Sequence, residues 1–229
     1  MEKLTKRGNV FAVAESVSTD QLLAHDDYEG QYDPHIWMNP EIWKQVASEI
    51  NRIFTEAQPE NAEIFENNLQ LFVKELDALQ DYSKAQLAKI PTEQRILVTA
   101  HDAFNYFGDA YDFEVLGIQG LSTESEAGIR RIQEMVDFLV ERKLGAVFVE
   151  TSVSDRNIQA LIEGAAAKGH KVIIGGALFS DAMGPEGTYE GTYIGMIVHN
   201  ITTISKALGA DVPAQGMQGR LIDATKGAS

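Results

Sequence analysis

The chain has 229 residues, 44% apolar and 23% charged, an ordinary globular composition with length enough for a sizeable core. Its net charge of −15 repels phosphate backbones and argues against nucleic acid as a partner. It has no cysteine, which excludes disulfides, thiolate zinc sites and cysteine nucleophiles, so a metal site here must use imidazole and carboxylate.

No stretch of about 18 apolar residues is present to span a membrane. The N-terminal MEKLTKRGNVFAVAES lacks the apolar segment of a secretory signal. The expectation is therefore either a cytoplasmic protein or a chain that begins after a removed or deleted segment.

Residues 9–14 (NVFAVA) are short, apolar and β-prone and predict a strand. Residues 18–34 are polar and predict a loop. DPHIWMNP (33–40) follows. Asp33 stands two positions before His35 and can hold its ring, and Pro34 stiffens the approach. Asn39 reads as an N-cap with Pro40 at the first helical position. His35 is thus expected on a stiff turn at a helix entry, a geometry that suits a ligand and a plain turn alike. Trp37 reads as a packing residue placed to shield His35 from water. Residues 40–55 predict a helix, since Ile42, Val46, Ile50 and Ile53 recur at three- and four-residue steps.

Residues 59–89 carry the longest helical pattern, with Pro59 at its start and Pro91 beyond its end. Phe65, Leu69, Phe72, Leu76 and Leu79 make one stripe. Such a helix would run roughly 45 Å at 1.5 Å per residue, long enough to lie across two lobes.

Strand and helix then alternate. Strands are expected at 95–100, 113–118, 144–150 and 171–176, and helices at 102–111, 126–143, 154–168 (after a Ser154 cap) and 190–208. This alternation predicts a parallel sheet with helices on both faces and ligands beyond the carboxyl ends of the strands. His101 follows the first of these strands and Asp181 the last. With His35 they offer two imidazoles and a carboxylate, a donor set that suits zinc, manganese or iron(II). Glu150 ends a strand at the same face and reads as a support for a ligand, or as a buried partner of Arg130, Arg131 or Arg156. His170 is expected to face solvent. His199, inside the last helix, is expected to be a satisfied core or surface histidine.

Five segments in order, DPHIWMNP, TAHDAFNYF, LGIQGLSTESEAG, VFVETSVSDRN and LFSDAMGPEGTYEGTYIGMIVHN, resemble the signatures of the cluster A-I metal-binding solute receptors of ABC transporters, closest to the TroA-like branch. The resemblance covers residues 9 to 222. It implies an α/β fold of two lobes with parallel sheets flanked by helices, joined by one long spine helix. The division expected is 1–58 as a remnant of the N-terminal lobe, 59–90 as the connecting helix and 91–229 as the C-terminal lobe.

Carried over by position, His35, His101 and Asp181 resemble three of the family's four ligands, with Glu150 and Asp33 supporting them. The remaining family ligand, a histidine in a PHxYEP-type segment, has no counterpart. His25 is the one upstream histidine, and its surroundings do not match. Most of the N-terminal lobe is therefore expected to be absent, which leaves oligomer formation open.

The function implied is capture of Zn2+ or Mn2+, with Fe2+ a further candidate, and delivery to a membrane permease. It would take place in the periplasm or at the cell surface, without enzymatic activity. Two readings compete: a metal-dependent hydrolase using a three-ligand zinc with an open position, and a metal-independent adhesin or interaction domain.

Overall fold

The computed structural model describes residues 9–24, 30–120 and 128–221. His25 and the LSTESEA stretch at 121–127 lie outside the described residues. The chain divides into two units, Met1–Asp77 and Ala78–Ser229.

In the first unit, the strand expected at 9–14 does not form. Residues 9–12 have no regular structure and Val13–Ser16 is a turn of 3-10 helix. A strand needs a neighbour to pair with, and the described residues of this unit offer only an isolated antiparallel bridge between Ala24 and Tyr32. That bridge, with a hydrogen bond from Asp33 N–H to Leu23 O at 2.9 Å, anchors the chain just before His35.

A 3-10 turn at Ile36–Met38 leads into the helix Pro40–Ala57 (α1). The expected cap is present: Asn39 Oδ1 accepts from the Glu41 N–H at 2.9 Å, with Pro40 in the first turn. The buried positions Ile42, Val46 and Ile53 follow the predicted stripe.

The long helix is shorter than its sequence pattern. Pro59–Asn61 is a 3-10 turn, and the α-helix proper runs Ala62–Leu87 (α2), 26 residues or about 39 Å. Leu76 and Leu79 of the predicted stripe are fully buried.

The second unit is the expected alternation. Strand Ile96–His101 (β1) precedes helix Asn105–Tyr111 (α3). Strand Glu114–Gln119 (β2) precedes helix Ile129–Glu141 (α4). Strand Ala146–Glu150 (β3) precedes helix Arg156–Ala167 (α5), and strand Ile173–Leu178 (β4) precedes helix Tyr193–Ala207 (α6). β1 pairs parallel with β2, and β3 pairs parallel with β4. β1 lies beside β3, so the pairs sit side by side as two ladders rather than one continuous ladder. Two boundaries differ from expectation. His101 closes β1 instead of following it. The α5 cap position is Asp155, while Ser154 Oγ accepts from the Arg156 N–H at 3.3 Å.

Every β1 residue is buried, as a strand covered on both faces requires. Side chains alternate across the sheet. Ile96, Val98, Ala100 and Val147 join Met135, Val136 and Leu139 of α4 and Ile158, Leu161 and Ala165 of α5 in one apolar cluster. Thr99, His101 and Glu150 therefore point to the opposite face. On that side, β4 carries two glycines where α6 crosses it. A Cβ at Gly176 would stand 2.3 Å from Thr203 Cγ2, and one at Gly175 would stand 2.7 Å from Ala207 Cβ. The glycines let α6 settle directly on the strand.

Candidate metal centre

His101 is completely buried at the carboxyl end of β1. Glu150, at the same end of β3, engages it twice. Its Oε1 accepts from the His101 N–H at 2.8 Å, and its Oε2 lies 2.5 Å from Nδ1. Thr99 Oγ donates to the His101 carbonyl at 2.8 Å. The second ring nitrogen, Nε2, faces Asp181 Oδ2 at 3.5 Å. Burial alone would push the His101 pKa down. The hydrogen bond and charge of Glu150, with the charges of Asp181 and Asp102, outweigh it and raise the pKa above its ordinary value.

Asp181 reaches this position on the segment that leaves β4 at Leu178. Its side chain is 35% exposed, in contrast to the buried histidine it faces. The structure thus brings two of the three expected donors together within the second unit.

His35 belongs to the first unit and has its own carboxylate support. It is buried, and Asp33 Oδ1 accepts from its backbone N–H at 2.8 Å and lies 2.7 Å from Nδ1. Trp37 meets the ring edge-on, with centroids 5.2 Å apart. Both histidines therefore have Nδ1 fixed by a buried carboxylate, the arrangement that orients a metal-ligating imidazole.

The remaining histidines behave differently. His170 does not simply face solvent, because its Nε2 lies 2.7 Å from the Leu144 carbonyl. His199 is satisfied as expected, 2.9 Å from the Ala177 carbonyl. Glu150 takes His101 as its partner rather than an arginine. Arg130 pairs with Glu134, and Arg131 donates to Gly117 O. Sequence reasoning missed Gly117, whose absent Cβ makes room for Asp102, and Asn200, whose amide engages Phe179. Both are visible only once the strands and α6 are in place.

Residues 1–207 match the family model described as zinc-uptake complex component A, periplasmic. The chain is 47% identical to the manganese-binding lipoprotein MntA of Bacillus subtilis over 91% of its own length and 68% of that protein. It is 31% identical to the manganese ABC transporter substrate-binding lipoprotein PsaA of Streptococcus mitis, over 90% of its length and 65% of that protein. Among solved structures, the periplasmic zinc-binding protein TroA of Treponema pallidum superposes with a TM-score of 0.86 at 42% identity, covering 90% of this chain and 74% of that one.

The fold is that of an α/β solute-binding protein. The chain belongs to the metal-binding substrate-binding proteins of ABC transporters.

Proposed function

We propose that this chain captures a divalent transition metal, Zn2+ or Mn2+, outside the cytoplasmic membrane and delivers it to an ABC-transporter permease. His35 and His101 would supply neutral imidazole nitrogens, and Asp181 an anionic oxygen. The observation that carries this reading is the paired support of the two histidines, Asp33 on His35 and Glu150 on His101. A histidine whose Nδ1 is held by a carboxylate coordinates through Nε2. For His101 that atom is the one facing Asp181.

The names of the relatives support both metals, since MntA is named for manganese and TroA for zinc. Two nitrogens and one carboxylate bind Zn2+ more tightly than Mn2+ by the ordinary affinity order, so selection for manganese would depend on metal supply. The hydrolytic alternative loses its general base. Glu150 is the carboxylate the sequence offered for that role, and both of its oxygens are committed to His101. None of the relatives named above is a hydrolase. Among the described residues no helix is long and apolar enough to cross a membrane.

The test is a chelator-competition titration of the metal-stripped chain with Zn2+ and with Mn2+, beside His35→Ala, His101→Ala and Asp181→Ala. Stoichiometric binding that weakens in all three variants is expected. Binding that ignores the His101 and Asp181 substitutions would overturn the assignment.

A further inference from the structure

We propose that Asn200 is a positioning residue that fixes Asp181 in place by splinting the backbone at the end of β4. The inference rests on Asp181 being a metal ligand, as proposed above.

The β4 ladder stops at Leu178, whose carbonyl accepts from the Thr151 N–H at 3.0 Å. The next residue, Phe179, has left the strand, and its backbone groups are taken up by one side chain. Asn200 Oδ1 accepts from the Phe179 N–H at 2.9 Å, and Asn200 Nδ2 donates to the Phe179 carbonyl at 2.7 Å. A primary amide offers a donor and an acceptor as a peptide group does, so Asn200 acts as one more peptide of a neighbouring strand. Aspartate can accept but not donate, and an aliphatic side chain can do neither.

Its setting in α6 supports a specific role. Asn200 is 2% exposed, with the buried apolar residues Val198 and Ile201 close by in the helix. An asparagine is a poor helix former and costly to bury unless its amide is satisfied. Here it is satisfied by the segment that carries Asp181 two residues later.

Two further contacts hold the same segment. The Phe179 ring meets His199 at a tilt of 55°, with centroids 4.7 Å apart, and Ser180 Oγ lies 2.8 Å from Ser152 Oγ on the segment after β3. Asp181 stands two residues beyond Phe179, so the backbone that Asn200 holds is the one that carries its carboxylate to its position opposite His101. His101 is buried and gripped by Glu150, and needs no such splint.

The experiment is a double-mutant cycle read by zinc affinity. Asn200→Asp is nearly isosteric and loses the donor to Phe179. Asn200→Ala loses both bonds. Each is measured in the unmodified chain and in Asp181→Ala, with thermal melting to establish folding. The expected result is a loss of about tenfold or more in zinc affinity in the unmodified background, and less than about twofold once Asp181 is gone. Co2+ absorption should also change in the Asn200 variants and not between Asp181→Ala and its double variants.

Equal losses in both backgrounds, or folded variants of full affinity, would overturn the proposal. An Asp181→Ala chain that itself binds zinc normally would instead overturn the ligand assignment. Hydrogen exchange of the Phe179 amide in the unmodified, metal-free chain covers the case of variants that do not fold. Slow exchange is expected, and exchange as fast as an exposed loop amide would exclude the splint.

Discussion

Glu150 holds His101 with both of its oxygens, one on the backbone N–H at 2.8 Å and one 2.5 Å from ring Nδ1. Ring and backbone are thereby fixed together, so the direction of Nε2 is set before any metal arrives. Asp33 serves His35 in the same way through Oδ1, which accepts from the N–H at 2.8 Å and lies 2.7 Å from Nδ1. The grip through both carboxylate oxygens predicts the larger loss. Glu150→Gln should weaken zinc binding by about ten- to a hundredfold, and Asp33→Asn by about tenfold. Isothermal titration in a competing chelator measures both, and Glu150→Gln binding at full affinity would show that the grip does not orient the ligand.

Gly117 sets the room available to the residue after His101. A Cβ there would lie 2.7 Å from the backbone N, Cα and Cβ of Asp102, which cannot move without dragging the end of β1. Gly117→Ala should destabilise the fold by about 1–3 kcal/mol, the usual cost of overpacking, and should also weaken zinc binding through His101. Gly145→Ala meets no atom within 4 Å and is the control. Urea melts of the two variants separate the effects.

The second unit was legible in the sequence because each strand and helix satisfies its own pattern locally. RILVTA carries four apolar residues, Ile96, Leu97, Val98 and Ala100, in a strand buried on both faces, and the three-and-four spacing of α4 and α5 names the residues that cover it. NVFAVA misled for the complementary reason. Its composition suits a strand, but a strand is a property of two segments, and the pairing partner is missing among the described residues of its unit. Pro59 was read correctly as a helix start, yet the first turn it opens is 3-10. The individual ligand candidates could be marked from their place at strand ends and helix entries. Glu150 too could be marked as a support from its place at a strand end, but which ligand a carboxylate holds could be read only where the two are sequence neighbours. Asp33 stands two residues from His35, so its role was visible. Glu150 lies 49 residues from His101, and Asn200 lies 21 from Phe179. Those pairings depend on which strands become neighbours, and no local pattern encodes that.

Asn39 couples the turn bearing His35 to α1. Its side chain caps the helix through the Glu41 N–H and is nearly buried. Asn39→Ala should cost about 1 kcal/mol of stability, and Asn39→Asp, which keeps the acceptor, should cost less. Guanidinium melts monitored by the neighbouring tryptophans, Trp37 and Trp43, report the change. Equal stability of Asn39→Ala and the unmodified chain would mean that the cap contributes nothing.

Protonation of His101 should drive stability and metal binding in opposite directions. Its pKa in the folded chain is raised: burial opposes the charge, but Glu150, Asp181 and Asp102 together favour it more. Stability drawn from the charged imidazole is then fully present below the unfolded value, about 6.5, and is lost as pH rises through the higher folded value. The metal-free chain should melt at lower temperature as pH climbs through that window above about 6.5. Zinc requires the neutral ring, so its affinity should rise with pH across the same window, by about tenfold per unit for each proton displaced, and level off above it. Glu150→Gln removes the leading favourable partner of the charge and should flatten both profiles. A metal-free melting temperature that rises with pH through this window, with Glu150 intact, would show that the buried pair does not carry its proton on His101.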